Sequence, residues 1–130
     1  MQIVNWMTRN PVWVSPDDTL AKAKALMDQG RFRRLPVMAE GKLVGIVTER
    51  DLRSHHGFLD SIRVGTAMTS DPAAASPRDT VQEAAELILQ HKIGGLPVVD
   101  NGKLVGVLTT TDLMRALLNV VQGIVHVMDD

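Results

Sequence analysis

Two short constellations in this sequence combine residue types suited to holding a polar ligand. Thr48 and Asp51 close the stretch Gly45-Ile46-Val47-Thr48-Glu49-Arg50-Asp51, and Thr109 and Asp112 close Gly106-Val107-Leu108-Thr109-Thr110-Thr111-Asp112. In each, a glycine and two apolar residues lead to a hydroxyl, and an aspartate follows three positions later. The pattern describes a strand leaving the core and turning into a helix. A threonine at the strand end offers its hydroxyl to a helix N–H or to an anion. The aspartate falls in the first helical turn, near the positive end of the helix dipole. Glycine lets another backbone or a ligand come close. One copy reads equally well as a plain helix start. Two copies at a fixed offset favour function.

Just upstream the two copies differ. Arg33-Arg34 precedes Leu35-Pro36-Val37, whereas Gly94-Gly95 precedes Leu96-Pro97-Val98. Arginine forks match phosphate oxygens bidentately, and Arg31 and Arg50 add to the local positive field. The plainer reading is a solvated strand edge guarded against edge-to-edge pairing. The glycines leave room for a base, or simply serve local backbone geometry.

Other chemistry is scarce. Ser54, His55, His56 and Asp60 cluster in the sequence, but adjacent histidines on a helix point roughly 100° apart, and two histidines without a third ligand make a poor metal site. His91 and His126 show no partner. Glycine-rich phosphate loops are absent. With no cysteine, disulfides, thiolate metal sites and a cysteine nucleophile are excluded, as suits a reducing cytosol. The sequence therefore predicts neither an enzyme nor a metal site.

The elements that must position these residues are duplicated. At a constant offset of 61, Met7–Leu52 aligns with Met68–Leu113 without a gap, and 21 of the 46 positions are identical. Such self-similarity is an internal repeat. Its landmarks are Met-Thr-x-x-Pro (Met7, Thr8, Pro11; Met68, Thr69, Pro72), Ser-Pro-x-Asp-Thr, Leu-Pro-Val and the opening motif. Val12-Trp13-Val14 predicts a short strand, and Ala73-Ala74-Ala75 follows by alignment. Thr19 and Thr80 cap a helix whose apolar face is Leu20, Ala23 and Met27 in one copy and Val81, Ala84 and Ile88 in the other. Gly30 is the expected C-cap of the first helix. Two strands follow, joined by Glu40-Gly41 or Asn101-Gly102, the latter a strong hairpin signal. A second helix opens at the motif aspartate. The unit is β-α-β-β-α, the class α+β, and the expected division is residues 1–61 and 62–130. A unit of about 60 residues is marginal alone, so the copies are expected to pack with approximate two-fold symmetry.

Length and charge bound the rest. The 130 residues carry a net charge of −1, which argues against bulk attraction to nucleic acid or anionic membrane. Residues 1–61 carry nine Lys/Arg against seven Asp/Glu, and residues 62–130 five against eight. Aromatic residues are too few to stack bases along a strand. No apolar run is long enough to cross a bilayer, so the expectation is a soluble cytoplasmic protein. After Asp112, Leu113, Leu117, Val121 and Ile124 keep a helical spacing, with Met114, Leu118, Val120 and Val125 widening the face. Gly123 is a candidate break, leaving residues 124–128 helical or extended. This surplus of apolar surface reads as core or subunit contact.

The tandem units, with Met-Thr-x-x-Pro, Leu-Pro-Val and Gly-x-x-Thr-x-x-Asp twice in order, resemble a pair of CBS domains, together a Bateman module, across nearly the whole chain. A looser resemblance is to the CBS part of acetoin-utilisation-type proteins. The resemblance implies a regulatory module that binds AMP, ADP, ATP, S-adenosylmethionine or NAD in clefts between the repeats and acts on a partner protein. It implies Asp51 and Asp112 on ribose hydroxyls and Thr48 and Thr109 on phosphate or ribose oxygens. Thr8, Thr69, Val12 and Ala73 would line the base side, with Arg33, Arg34, Gly94 and Gly95 as further site residues. It also implies a homodimer. The alternative is an interaction dimer whose clefts are vestigial.

Overall fold

The computed structural model describes the backbone of residues 1–129 and the side chains of residues 1–125. Its elements in chain order are β1 (Thr8–Arg9), α1 (Leu20–Gly30), β2 (Arg34–Ala39), β3 (Lys42–Thr48), α2 (Glu49–Ser54), α3 (Val64–Ala67), β4 (Thr69–Ser70), α4 (Val81–His91), β5 (Gly95–Asp100), β6 (Lys103–Thr109) and α5 (Thr110–Asp129). The fold is α+β, with two three-stranded sheets in the orders β2-β3-β4 and β1-β6-β5.

The chain forms two compact units, and each borrows a segment across the repeat. One consists of Asn10–Pro72 with Asn101–Leu104; the other holds Met1–Arg9, Ala73–Asp100 and the chain from Val105 on. In the first, β4 pairs antiparallel with β3, Thr69 opposite Ile46 and Ser70 opposite Gly45. In the second, β1 pairs with β6, Thr8 opposite Val107 and Arg9 opposite Gly106. The preceding residues are tied in as well. Leu20 N–H donates to the Ile62 carbonyl at 2.9 Å, and Ile3 N–H donates to the Asp79 carbonyl at 2.9 Å.

This exchange explains the motif glycines. A Cβ on Gly45 would lie 2.9 Å from the Thr69 carbonyl oxygen and against Met68 Sδ; one on Gly106 would lie 2.8 Å from the Thr8 carbonyl and against Met7 Sδ. The close approach is made by the borrowed strand, and the Met-Thr landmark is that strand.

Each unit has its own core. Val14, Leu20, Ala23, Met27, Leu35, Val37, Val47, Leu52 and Val64 form one. Ile3, Ala75, Ala84, Ile88, Leu96, Val98 and Leu108 form the other. The alternating burial of β3 and β6, with Val47 and Leu108 fully covered, follows from the two-residue period of a strand.

Several local expectations are corrected. The segment Val12–Val14 contributes a single parallel bridge, Val14 to Val37, and Ala73–Ala75 contributes only Ala75 to Val98. Each contact is one residue long: Val14 donates to the Pro36 carbonyl and accepts from the Met38 N–H, and Ala75 donates to the Pro97 carbonyl and accepts from the Val99 N–H. The helix after β3 opens at Glu49, with Thr48 as N-cap and Asp51 at its third position. Gly30 is the last residue of α1, where a Cβ would meet the Phe32 ring. The left-handed cap is Arg31 (φ 58°), and Lys92 (φ 55°) does the same for α4. Both hairpin turns have two residues at positive φ, Glu40-Gly41 and Asn101-Gly102. Gly123 does not break α5, which runs as one helix through residues 124–128.

The left-handed caps yield a first prediction. Lys92→Gly removes a Cβ from a backbone conformation that disfavours it. It is expected to stabilise the protein by about 0.5–1 kcal/mol, a rise in Tm of a few degrees, measurable by thermal unfolding. Lys92→Ala, which keeps the Cβ, should show no such rise.

Candidate ligand-binding site

The site begins at the C-terminal end of β3. Thr48 accepts from the Asp51 N–H at 3.4 Å, while Asp51 Oδ2 accepts from the Thr48 N–H at 2.8 Å and from Thr48 Oγ1 at 3.1 Å. This reciprocal capping box satisfies helix-end donors that would otherwise lack partners. Glu49 N–H is taken up by the Arg33 carbonyl at 2.9 Å. The second copy repeats every bond. Asp112 Oδ2 accepts from the Thr109 N–H at 2.9 Å and from its hydroxyl at 3.1 Å, Asp112 N–H donates to Thr109 Oγ1 at 3.3 Å, and Thr110 N–H donates to the Gly94 carbonyl at 3.1 Å.

The two carboxylates are not equivalent beyond the box. Asp112 is 3% exposed, and its Oδ1 accepts from Arg115 Nη1 at 3.3 Å. Asp51 is half-buried, and its Oδ1 has no hydrogen-bond donor among the described residues. An acceptor-only group with an open oxygen suits a hydroxyl donor. At Asp112 a ligand would first displace an exposed arginine, a contact of roughly 0–1 kcal/mol.

The adjacent arginines differ in setting, Arg34 half-buried at the start of β2 and Arg33 exposed just before it. Arg34 lies directly opposite Thr48 in the β2–β3 register, so their side chains share a face. Burial lowers the Arg34 pKa from its ordinary value, with a further push from the Arg33 charge. Arginine nevertheless stays charged in proteins. Neither Arg34 nor Arg33 has an ion-pair partner among the described residues, so Arg34 is a half-buried, uncompensated cation beside the Thr48–Asp51 corner. Arg33 instead lines a groove of about 540 Å³ between α1 and α2, with Lys24, Asp28, Arg53 and His56. Neither that groove nor a recess of about 420 Å³ lined by Pro11, Trp13, Met38 and Lys103 includes Thr48 or Asp51.

The remaining predicted residues divide between the two units. Thr69 belongs to the sheet of Thr48, two residues along β3 from it. Thr8 belongs to the sheet of Thr109. Val12 is exposed, Ala73 and Gly94 are half-buried, and Gly95 is buried at the start of β5. The sequence did not show that Thr8 groups with the second motif and Thr69 with the first, or that Met7 and Met68 pack on the motif glycines. Only the glycine before each threonine, which demands a close neighbour, hints at them.

A duplicated β-α-β-β-α unit with a capped Thr–Asp corner in each copy is thus in place. The family model described as CBS domain matches residues 2–56 and 64–119. The chain belongs to the CBS-domain family. This CBS pair is 38% identical over 117 residues to inosine-5'-monophosphate dehydrogenase of Staphylococcus haemolyticus, a match covering 87% of this chain and 24% of that one. The chain therefore spans about a quarter of the length of the curated relatives it matches. Among solved structures it is similar to CBSX2 in complex with AMP, at TM-score 0.82 and 31% identity over 92% of this chain and 97% of the other. It is equally similar to a protein assigned to acetoin utilisation from Vibrio cholerae, at TM-score 0.81 and 31% identity, covering 94% and 93%. No helix among the described residues is long and apolar enough to cross a membrane.

Proposed function

We propose that this CBS pair is a regulatory module that binds an adenosine-containing ligand, AMP, ADP, ATP, S-adenosylmethionine or NAD, and signals its occupancy to a partner protein. The role is regulatory rather than catalytic. The observation that carries the reading is the Thr48–Asp51 corner with its open carboxylate oxygen beside the uncompensated Arg34. The AMP complex of the similarly built CBSX2 supports it. Asp51 and Asp112 accept from ribose hydroxyls, and Thr48 and Thr109 contact phosphate or ribose oxygens. Thr8, Thr69, Val12 and Ala73 face the base, while Gly94 and Gly95 give it room. A cytoplasmic setting and a homodimeric state belong to the same proposal.

The second reading, an interaction dimer with vestigial clefts, draws on one observation. In both copies Asp Oδ2 is already engaged in capping, so a structural role suffices for each aspartate. Mass spectrometry of small molecules released from purified protein separates the two. An adenosine-containing compound at stoichiometric yield supports the sensor. If none is released and adenine nucleotides added to millimolar concentration give no thermal shift, the clefts are vestigial.

The two arginines make a sharper prediction. Arg34→Ala should weaken a phosphorylated ligand strongly at low salt and flatten its salt dependence, because screening acts on exposed charge pairs above ~0.1 M salt. Adenosine itself should lose little. Arg33→Ala, whose side chain lines the α1–α2 groove, should have the smaller effect. Equal losses for AMP and adenosine in Arg34→Ala would show that the arginine supports the fold instead.

A further inference from the structure

The recess of about 420 Å³ lies at the Glu40-Gly41 turn, at the opposite end of β3 from Thr48. Everything that lines it belongs to one compact unit, Asn10–Pro72 with Asn101–Leu104. Trp13, Met38 and Leu104 give it apolar surface, Asn10 an amide, and Glu40 and Lys103 one charge of each sign. Trp13 is 54% exposed, in a chain with two tryptophans and no tyrosine. Glu40 and Lys103 form no ion pair with each other or with any other described residue. The duplication shows which of these residues are scaffold. At the 61-residue offset Pro11, Gly41, Lys103 and Leu104 meet identical residues, Pro72, Gly102, Lys42 and Leu43. Trp13 becomes Ala74 and Glu40 becomes Asn101, with Met38 and Asn10 replaced by Val99 and Asp71. The frame is common to both repeats, whereas the indole and the carboxylate are particular to the first. Glu40 is also a poor local choice. Its φ is 52°, and Asn101 at 51° holds the same conformation with a residue type far better suited to it. A carboxylate kept at a backbone position that disfavours its residue points to a use beyond the turn.

We infer that this recess binds a free α-amino acid with an apolar side chain. Glu40 takes the ammonium group, Lys103 takes the carboxylate, and the side chain lies against Trp13 and Met38. The balance of charge selects the ligand. A simple anion drawn to Lys103 is repelled by Glu40, and a simple cation meets the reverse. A zwitterion satisfies both groups at once. The indole adds a cation–π attraction for the ammonium group and a large apolar surface for the side chain, while the thioether of Met38 adapts to its shape. Because the recess includes neither Thr48 nor Asp51, the inference stands apart from the adenosine site and does not depend on it.

Calorimetric titration of the full chain with L-leucine, L-methionine and L-phenylalanine tests the inference, and saturable binding of at least one is expected. The N-acetyl derivative of that amino acid lacks the ammonium group and its amide lacks the carboxylate. Each should bind at least about tenfold more weakly than the parent. Glycine, with no side chain to set against Trp13, should also bind more weakly. Trp13→Ala and Lys103→Gln should each lose affinity. Glu40→Asn installs the residue of the second repeat and should move two readouts in opposite directions. Binding should fall by about tenfold or more, while the melting temperature rises by a few degrees because asparagine suits the turn. A variant that is more stable and binds less cannot owe its loss to misfolding. Absence of saturable binding by all three amino acids at millimolar concentration would overturn the inference. So would an amide or N-acetyl derivative that binds as well as its parent, or full affinity in Glu40→Asn.

Discussion

Gly45→Ala and Gly106→Ala are each expected to destabilise the protein by about 1–3 kcal/mol, the cost of overpacking a filled site. The melting temperature should fall by roughly 3–15 °C. The added methyl meets the backbone carbonyl of Thr69 or Thr8 at 2.9 or 2.8 Å, and a backbone atom in a paired strand moves less readily than a side chain. The flexible thioethers of Met68 and Met7 can swing aside, so the carbonyl clash decides the sign. Met68→Ala combined with Gly45→Ala should therefore recover little. Full recovery in the double variant would show that the strand tolerates the methyl and that the glycine serves another purpose. Gly41→Ala is a useful contrast, since nothing lies within 4 Å of its Cβ position and only its φ of 76° opposes the change.

The aspartates carry the second large effect, on binding. A hydrogen bond to a charged group contributes roughly 1.5–3 kcal/mol, so Asp51→Asn or Asp112→Asn should weaken its own site about tenfold to a few hundredfold. Asparagine keeps an acceptor for the Thr48 or Thr109 N–H, and the unliganded protein should lose mainly the charge–dipole term, ~0.3–1 kcal/mol. Asp112→Ala should cost the unliganded protein more than Asp51→Ala. Asp112 is the more buried of the two, and its loss strands the Thr109 N–H and hydroxyl. Because saturating ligand at 100 times Kd adds ~2.7 kcal/mol to stability, thermal shifts with and without ligand separate the two roles in each variant.

Much of this was legible in the sequence, for local reasons. Thr48 and Asp51 stand three apart at a strand end, and that spacing is sufficient for a capping box. Asn101-Gly102 specifies its hairpin by φ alone. The 61-residue repeat carried the element order from one half to the other, including the continuation of β5 and β6. What was not legible depends on distant chain. β1 and β4 are two residues each, too short for any periodicity, and their partners lie across a repeat boundary. Position in the sheet decided Arg33 and Arg34. Arg34 opens β2 opposite Thr48, whereas Arg33 lies just before the strand and lines the α1–α2 groove, a difference that two adjacent identical residues do not reveal. Gly30 looked like a C-cap from its place after the apolar stripe. The Phe32 ring, packed over it, is what requires a glycine there, and Arg31 bears the left-handed turn.

The central claim is that the Thr–Asp corners hold an adenosine ligand. Calorimetric titration of the full chain with AMP, run beside the Asp51→Asn/Asp112→Asn double variant, tests it most directly. The expected result is saturable binding by the wild-type protein and a loss of at least about tenfold in the double variant, with the variant still folded. Unchanged affinity in the double variant, or no saturable heat from AMP, ADP, ATP, S-adenosylmethionine or NAD at millimolar concentration, would contradict the account and leave both aspartates as helix caps.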